Sequence, residues 1–164
     1  MEVSHGWKHL GALALIAAIG AAAPGTAGAQ CLSVDTGDVY LVAEGGGACK
    51  ARFRRRDDCG RDLRVEEDNV ELHYYDLCVD GVFFGSFQAV KVAGGTHGEV
   101  EFDDVPDKPG ERQYAAGWPE ALGAQIEVRD SAKVAVKNRK TATTTAPPCT
   151  GALRFSYTSF PYEP

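Results

Sequence analysis

Apolar and polar residues alternate with a period of two along much of the chain, and this pattern constrains the fold more than any other feature. In segment 124–129 (AQIEVR), for example, Ala124, Ile126 and Val128 alternate with polar or charged residues. Successive side chains of a β-strand point to opposite faces, so the pattern predicts strands with one buried face. We therefore predict an all-β protein.

The predicted strands are short, and turn-forming residues separate them. Three glycines, Gly45 to Gly47, lie between two strands, and Asp80-Gly81 is typical of a tight hairpin. In segment 69–75 (NVELHYY), the alternation places Val70, Leu72 and Tyr74 on the inner face. About seven to nine such strands predict one antiparallel β-sandwich domain over residues 30–164. Its predicted strands include 39–43, 51–55, 69–75, 82–87, 124–129, 133–137 and 153–157.

The first 29 residues have the pattern of a signal peptide. The apolar run Leu10–Ala23 would rise roughly 21 Å as a helix, which is short of the ~30 Å hydrocarbon core of a bilayer. Small residues end at Ala29, where we expect cleavage. The mature chain would then be secreted or periplasmic, with no membrane span. A retained membrane anchor is the alternative, and Gln30 before Cys31 argues against a lipoprotein.

Charge and cysteine content narrow the partners. The formal net charge is −6, and it is unchanged without the leader because Glu2 and Lys8 cancel, so a nucleic-acid partner is not expected. The 5 cysteines all follow the leader, and an oxidising compartment favours two disulfides within the chain. The fifth thiol would be buried or would link a dimer. We expect Cys59–Cys78, and Cys149 paired with Cys31 or Cys49.

Seven basic side chains lie between Lys50 and Arg64, on two strands joined by a turn at Cys59. This hairpin separates Cys49 from Cys59 by ~20 Å, too far for a disulfide. Alternation puts Arg52, Arg54 and Arg56 on one face with Lys50, where they could bind a sulfated or phosphorylated polymer. The alternative is a charged edge that neighbouring acids neutralise. Those acids are Asp57, Asp58, Asp62, Glu66 and Glu67.

The connection 104–123 carries Tyr114 and Trp118 and is long for a compact sandwich. Long loops of this kind are often functional, and large aromatic rings can stack on a sugar or fill a pocket of a protein partner. Tyr114 and Trp118 are therefore candidate binding residues. The alternative is that Trp118 folds down and caps the open end of the sandwich.

Catalytic and metal-binding chemistry finds little support. After the leader, the histidines are His73 and His97, and no Gly-x-Ser-x-Gly motif accompanies them. The acidic segment with Glu99, Glu101 and Asp103 could bind Ca²⁺ or act as glycosidase carboxylates, but no EF-hand spacing is present and we favour a charged outer strand face that blocks edge-to-edge pairing. We expect no catalytic residue, metal or cofactor.

Segment 70–105 combines a strand, an Asp-Gly hairpin, a second strand, a glycine-rich turn and the run HGEVEFDDVP. This run resembles secreted immunoglobulin-like and transthyretin-like (carboxypeptidase regulatory-type) β-sandwich domains. The resemblance implies a stalk, adhesion or ligand-presenting module more often than a catalyst. We therefore expect a non-enzymatic binding or structural module with a protein or carbohydrate partner. The alternatives are an inhibitor that inserts the Trp118 loop into a secreted enzyme, and a small secreted hydrolase that uses carboxylates or His73.

Overall fold

The computed structural model describes residues 31–132 and 147–161 and places them in two β-sheets that enclose one core. These residues form no helix, and therefore no helix among them is long and apolar enough to cross a membrane. The all-β prediction is thus confirmed for the described residues, whereas the leader 1–29 and the predicted strand 133–137 lie outside them. The strands are β1 (Val34–Asp35), β2 (Val39–Tyr40), β3 (Val42–Ala43), β4 (Ala48–Arg55), β5 (Arg61–Asp68), β6 (Tyr74–Val79), β7 (Val82–Gln88), β8 (Val90–Val92), β9 (Gly95–Asp103), β10 (Arg112–Gln113), β11 (Ile126–Asp130) and β12 (Leu153–Tyr157).

The larger sheet has the strand order β1-β4-β5-β9-β10, with β2 also paired to β4 and β8 to β9. The smaller sheet has the order β3-β12-β11-β6-β7. All pairs are antiparallel except β9 with β10, which run parallel. Short hairpins join β4 to β5 and β6 to β7. At the second of these, Asp80 and Gly81 both have positive φ (47° and 74°), which is the conformation that the Asp-Gly pair predicts.

Alternation decides which residues form the core. On β4, Ala51 and Phe53 are buried between outward-facing charged residues, as the period-two pattern predicts. Ile126 and Val128 of β11 and Phe155 of β12 fill the facing side from the smaller sheet. The two inner faces therefore form one continuous core.

The predicted inner face of segment 69–75 is wrong. Val70 is buried, but Leu72 is exposed and Tyr75, not Tyr74, enters the core. The cause is local. β5 ends at Asp68, and the next residue, Asn69, has a positive φ of 56° that a strand does not accommodate. The chain bends until β6 begins at Tyr74, so the alternation starts again in a different phase.

The predicted strand 39–43 is two strands in two sheets. β2 pairs with β4 of the larger sheet, and β3 pairs with β12 of the smaller sheet. Leu41 lies between them, is buried, and donates its backbone N–H to the carbonyl of Cys49 at 2.9 Å. The chain thus crosses from one sheet to the other at a single buried residue.

Two disulfides form, Cys31–Cys59 and Cys78–Cys149, which confirms the expected number but not the expected pairs. Cys59–Cys78 is wrong because Cys59 lies at the turn of the β4–β5 hairpin, whereas Cys78 lies on β6 of the other sheet. The pairing of Cys149 with Cys31 or Cys49 is wrong for the same reason. Cys49 is the free thiol and faces the core, 1% exposed, so a second chain has no access to it.

Candidate functional site

Charged residues of both signs cover the outer face of the larger sheet. The strand register places Arg54 beside Asp62, and Asp62 beside Asp103. The cations of this face therefore lie mainly on β4 and the carboxylates on β9, and β5 between them carries both signs. The face includes Lys50, Arg52 and Arg54 of β4, Asp62, Arg64 and Glu66 of β5, and Glu99, Glu101 and Asp103 of β9.

The three predicted arginines share this face, but each is bonded to a carboxylate. Arg52 pairs with Asp35, and Arg54 Nη2 lies 2.7 Å from Asp62 Oδ2. Arg56 donates two hydrogen bonds of 3.0 Å to Asp103, and this contact holds the pKa of the Asp103 carboxyl below its ordinary value. A polyanion would have to displace these carboxylates. These carboxylates offset the charge of the three arginines, which supports the alternative interpretation.

A groove of about 390 Å³ lies at the hairpin end of this face, between the β4–β5 turn and the segment after β9. Its most exposed apolar residue is Val105, which is 71% exposed. The charged side chains of the groove balance, with three cations and three carboxylates. The groove is lined by Arg54, Arg56, Asp58, Asp103, Val105, Asp107 and Lys108.

Local bonds fix both walls of the groove. The Cys31–Cys59 disulfide fastens the hairpin turn, and Asp103 Oδ1 accepts the N–H of Val105 at 2.7 Å. Glu111 accepts the N–H groups of Asp107 and Lys108 as well as the Lys108 ammonium. The bond from the Lys108 ammonium, followed by the two N–H groups, lowers the pKa of Glu111 to about 2. The charges are therefore held in place before any ligand arrives.

Tyr114 and Trp118 lie behind the groove, in the aromatic part of the core. Tyr114 is fully buried, donates its hydroxyl to the Pro119 carbonyl at 2.6 Å, and lies under the Arg61 guanidinium. Burial raises the pKa of Tyr114. Trp118 is partly buried and stacks on Phe84 with ring centroids 4.1 Å apart. The loop thus caps the sandwich, and the Tyr114 ring is not available to a ligand.

Replacing Trp118 with alanine is expected to lower the free energy of unfolding by about 2 to 3 kcal/mol, because the stack on Phe84 and its burial are lost. Urea unfolding followed by circular dichroism measures this change. Tyr40→Ala is the matched control, because Tyr40 is 68% exposed and should cost less than about 0.5 kcal/mol. If both substitutions lower the free energy of unfolding by the same small amount, Trp118 does not cap the core and is again a candidate binding residue.

His97 is bonded to acids of the larger sheet, whereas His73 lies just before β6 of the smaller sheet. His97 Nδ1 lies 2.9 Å from Asp68 and Nε2 lies 3.5 Å from Glu99, and the Asp68 contact raises the pKa of the imidazole. His73 packs edge-on against Tyr75. Within residues 31–132 and 147–161, no group of three or more His, Cys, Asp or Glu side chains has a geometry that could hold a metal ion.

Glu67 was expected among the outer, neutralising acids, and this is wrong. Its side chain is fully buried between the sheets, and neither carboxyl oxygen has a hydrogen-bond partner. Burial, followed by the charge of Asp130, raises its pKa to about 8. The alternation itself contains the signal, since Leu63 and Val65 of β5 face inward and Glu67 is the next residue in that series.

Comparison of the chain with protein-family models, with curated proteins and with solved structures finds no match in any of the three. Function is therefore inferred from the geometry of the groove and of the core.

Proposed function

We propose that the mature chain is an exported, non-enzymatic binding module that engages a protein partner through the groove at the β4–β5 hairpin. The groove itself supports this most strongly, because it places the exposed Val105 beside charged groups already held by neighbouring bonds. Arg56 and Lys108 are each bonded to a carboxylate, so binding would order few side chains. Preorganised groups of this kind lose little conformational entropy on association.

A protein fits the groove better than the other partners considered. None of the groove's lining residues is aromatic, and sugar sites usually offer a ring for stacking. Charges of both signs around an apolar residue suit a partner with the complementary pattern. The carbohydrate site proposed at Tyr114 loses support because that ring is buried. A polyanion would meet carboxylates such as Asp58 and Asp107.

The hydrolase alternative has weaker support. The hydrogen-bond partners of His97 are two carboxylates, Asp68 and Glu99, rather than a hydroxyl or thiol nucleophile, and His73 packs edge-on against Tyr75. The inhibitor alternative required the Trp118 loop to insert into an enzyme, and Trp118 instead packs on Phe84. An enzyme could still be the partner of the groove, which would make the chain an inhibitor of another kind.

Export and the fold subtype belong to the same proposal. Two disulfides support an oxidising compartment, so we keep residues 1–29 as a signal peptide and the secreted or periplasmic location. Two mainly antiparallel sheets and the Asp80-Gly81 hairpin support an immunoglobulin-like or transthyretin-like sandwich. In immunoglobulin variable domains the binding loops lie together at one end of the sandwich, and binding residues in general are often on loops.

The groove is tested with Val105→Arg, which we expect to weaken binding at least tenfold by filling the apolar position with a charge. The matched control is Val42→Arg, because Val42 is also an exposed valine, 62% against 71%, but lies on β3 of the other sheet. Immobilised residues 30–164 of each variant are exposed to extracytoplasmic proteins of the producing organism. Bound proteins are quantified by mass spectrometry, and the affinity for the captured partner is then measured by calorimetry.

Support requires a protein that the wild type and Val42→Arg retain and Val105→Arg loses. Thermal melting of all three should agree, since both valines are exposed. Identical capture by all three variants would rule out the groove as the binding surface. Retention of polysaccharide in place of protein would overturn the choice of partner.

A further inference from the structure

Glu67 occupies an unusual position near the end of β5. In the strand register it lies beside Cys49 of β4 and Gly98 of β9, and its side chain points to the smaller sheet. Both carboxyl oxygens are enclosed, and neither accepts or donates a hydrogen bond. Buried polar groups in proteins are nearly always bonded, so this pair of oxygens needs an explanation.

Four titratable groups face Glu67 from the strands packed around it. Cys49 lies on the neighbouring strand, Tyr75 on β6, Asp130 on β11 and Arg154 on β12. Arg154 is the cation among these four groups, but it is already bonded to Asp130 at 2.7 Å. Tyr75 donates its hydroxyl to the Glu71 carbonyl. The cation and the hydroxyl that could stabilise a charge on Glu67 are therefore both engaged elsewhere.

An ionised carboxylate at this position would be buried without a donor, which is among the costliest arrangements in a protein core. The closed sandwich therefore holds Glu67 with its proton. A cavity of about 120 Å³ lies at this end of the sandwich, and its walls include Tyr75 and Arg154, which both face Glu67, and the Gly45-Gly46 turn. Water in this cavity would lie beside two of the groups that surround Glu67.

We propose that Glu67 is a proton-controlled latch between the two sheets. While the carboxyl group is protonated, the sheets close over it. When it ionises, the end of the sandwich at the Gly45-Gly46 turn opens and admits water. The binding groove lies at the other end of β5, roughly 20 Å away, so the latch does not depend on the proposed partner.

The direction of the pH response follows from linkage. The closed state binds the proton more tightly than the open state, so opening becomes easier as pH rises. The response lies between the ordinary pKa of a glutamic acid, 4.5, and the raised value of about 8. Within this window, the open fraction is expected to increase roughly tenfold per pH unit.

Cys49 reports the opening, because it is the strand partner of Glu67 and is 1% exposed. The unreduced chain is labelled with N-ethylmaleimide between pH 5.5 and 7.5. Each rate is divided by the rate of the same chain in denaturing urea at the same pH, which removes the titration of the thiol. The relative rate should rise about a hundredfold over this range in the wild type.

Glu67→Gln and Glu67→Met should both give relative labelling rates that do not depend on pH. Two variants are used so that the test remains valid if one of them does not fold. A flat wild-type profile would overturn the latch, and so would the same slope in either variant. Urea unfolding of the wild type provides the last criterion. If labelling of Cys49 requires the free energy of complete unfolding at every pH, nothing opens locally and the proposal fails.

Discussion

Replacing both Cys78 and Cys149 with alanine is expected to lower the free energy of unfolding by about 4 kcal/mol. Their disulfide closes a loop with a sequence separation of 71, so the unfolded chain gains much conformational freedom when it is removed. It also fastens the segment before β12 to β6. Urea unfolding of the unreduced protein, followed by circular dichroism, measures the change.

The other disulfide is the internal comparison. Cys31–Cys59 has a sequence separation of 28, so Cys31→Ala with Cys59→Ala should cost less, about 3.5 kcal/mol by the same entropy relation. Cys49→Ala forms the control for loss of a buried thiol, since Cys49 has no bridge. If removal of Cys78–Cys149 costs under about 1 kcal/mol, that bridge does not constrain the unfolded chain as proposed.

The second large effect is a gain. The difference in the free energy of unfolding between Glu67→Met and the wild type should be about 3 kcal/mol more favourable to the variant at pH 8 than at pH 5. The reason is that methionine removes a group whose pKa folding raises to about 8. The unfolded chain releases this proton above about pH 4.5, whereas the folded chain keeps it. Wild-type stability therefore falls as pH rises through this window, and that loss is absent from the variant. Urea midpoints at pH 5, 6, 7 and 8 measure both profiles.

His97 must be separated from this effect. Its pKa is also raised, chiefly by Asp68, so the stability that it contributes is likewise lost as pH rises. This contribution is present in both proteins and cancels in their difference. Parallel stability profiles of the wild type and Glu67→Met would mean that the pKa of Glu67 is the same in the folded and unfolded chains. That outcome would contradict the raised pKa expected from burial.

The architecture could be predicted because alternation is a local property of the sequence. Ala51 and Phe53, or Ile126 and Val128, identify an inner face without knowledge of the partner strand. The pattern failed where one residue interrupts a strand, as Asn69 does with its positive φ. At Glu67 the position in the strand predicts an inward side chain, whereas the charge of a glutamate predicts an outward one.

The candidate site was less predictable because its contacts join distant parts of the chain. The sequence places Arg54 and Arg56 on one face, but it does not show that Asp103, on β9, bonds Arg56. The disulfides depend in the same way on which sheet receives each strand. Trp118 shows the same difficulty. The sequence around it is the same whether the ring is exposed or caps the core, and its stack on Phe84, a residue distant in sequence, shows that it caps the core.

The crossing at Leu41 has a consequence for the order in which the chain can fold. β3, directly after the crossing, finds its partner in β12, the last strand of the described chain, and β12 lies inside the smaller sheet between β3 and β11. A chain emerging from its N-terminus can complete the β4–β5–β9 part of the larger sheet early. The smaller sheet keeps two unpaired edges until residues 153–157 have emerged. Such late, non-local pairing slows folding and leaves edges open to aggregation. A truncation before Leu153 should therefore yield a chain that keeps the larger sheet and the pairing of β6 with β7 and β11, but leaves β3 and one edge of β11 unpaired and associates through them.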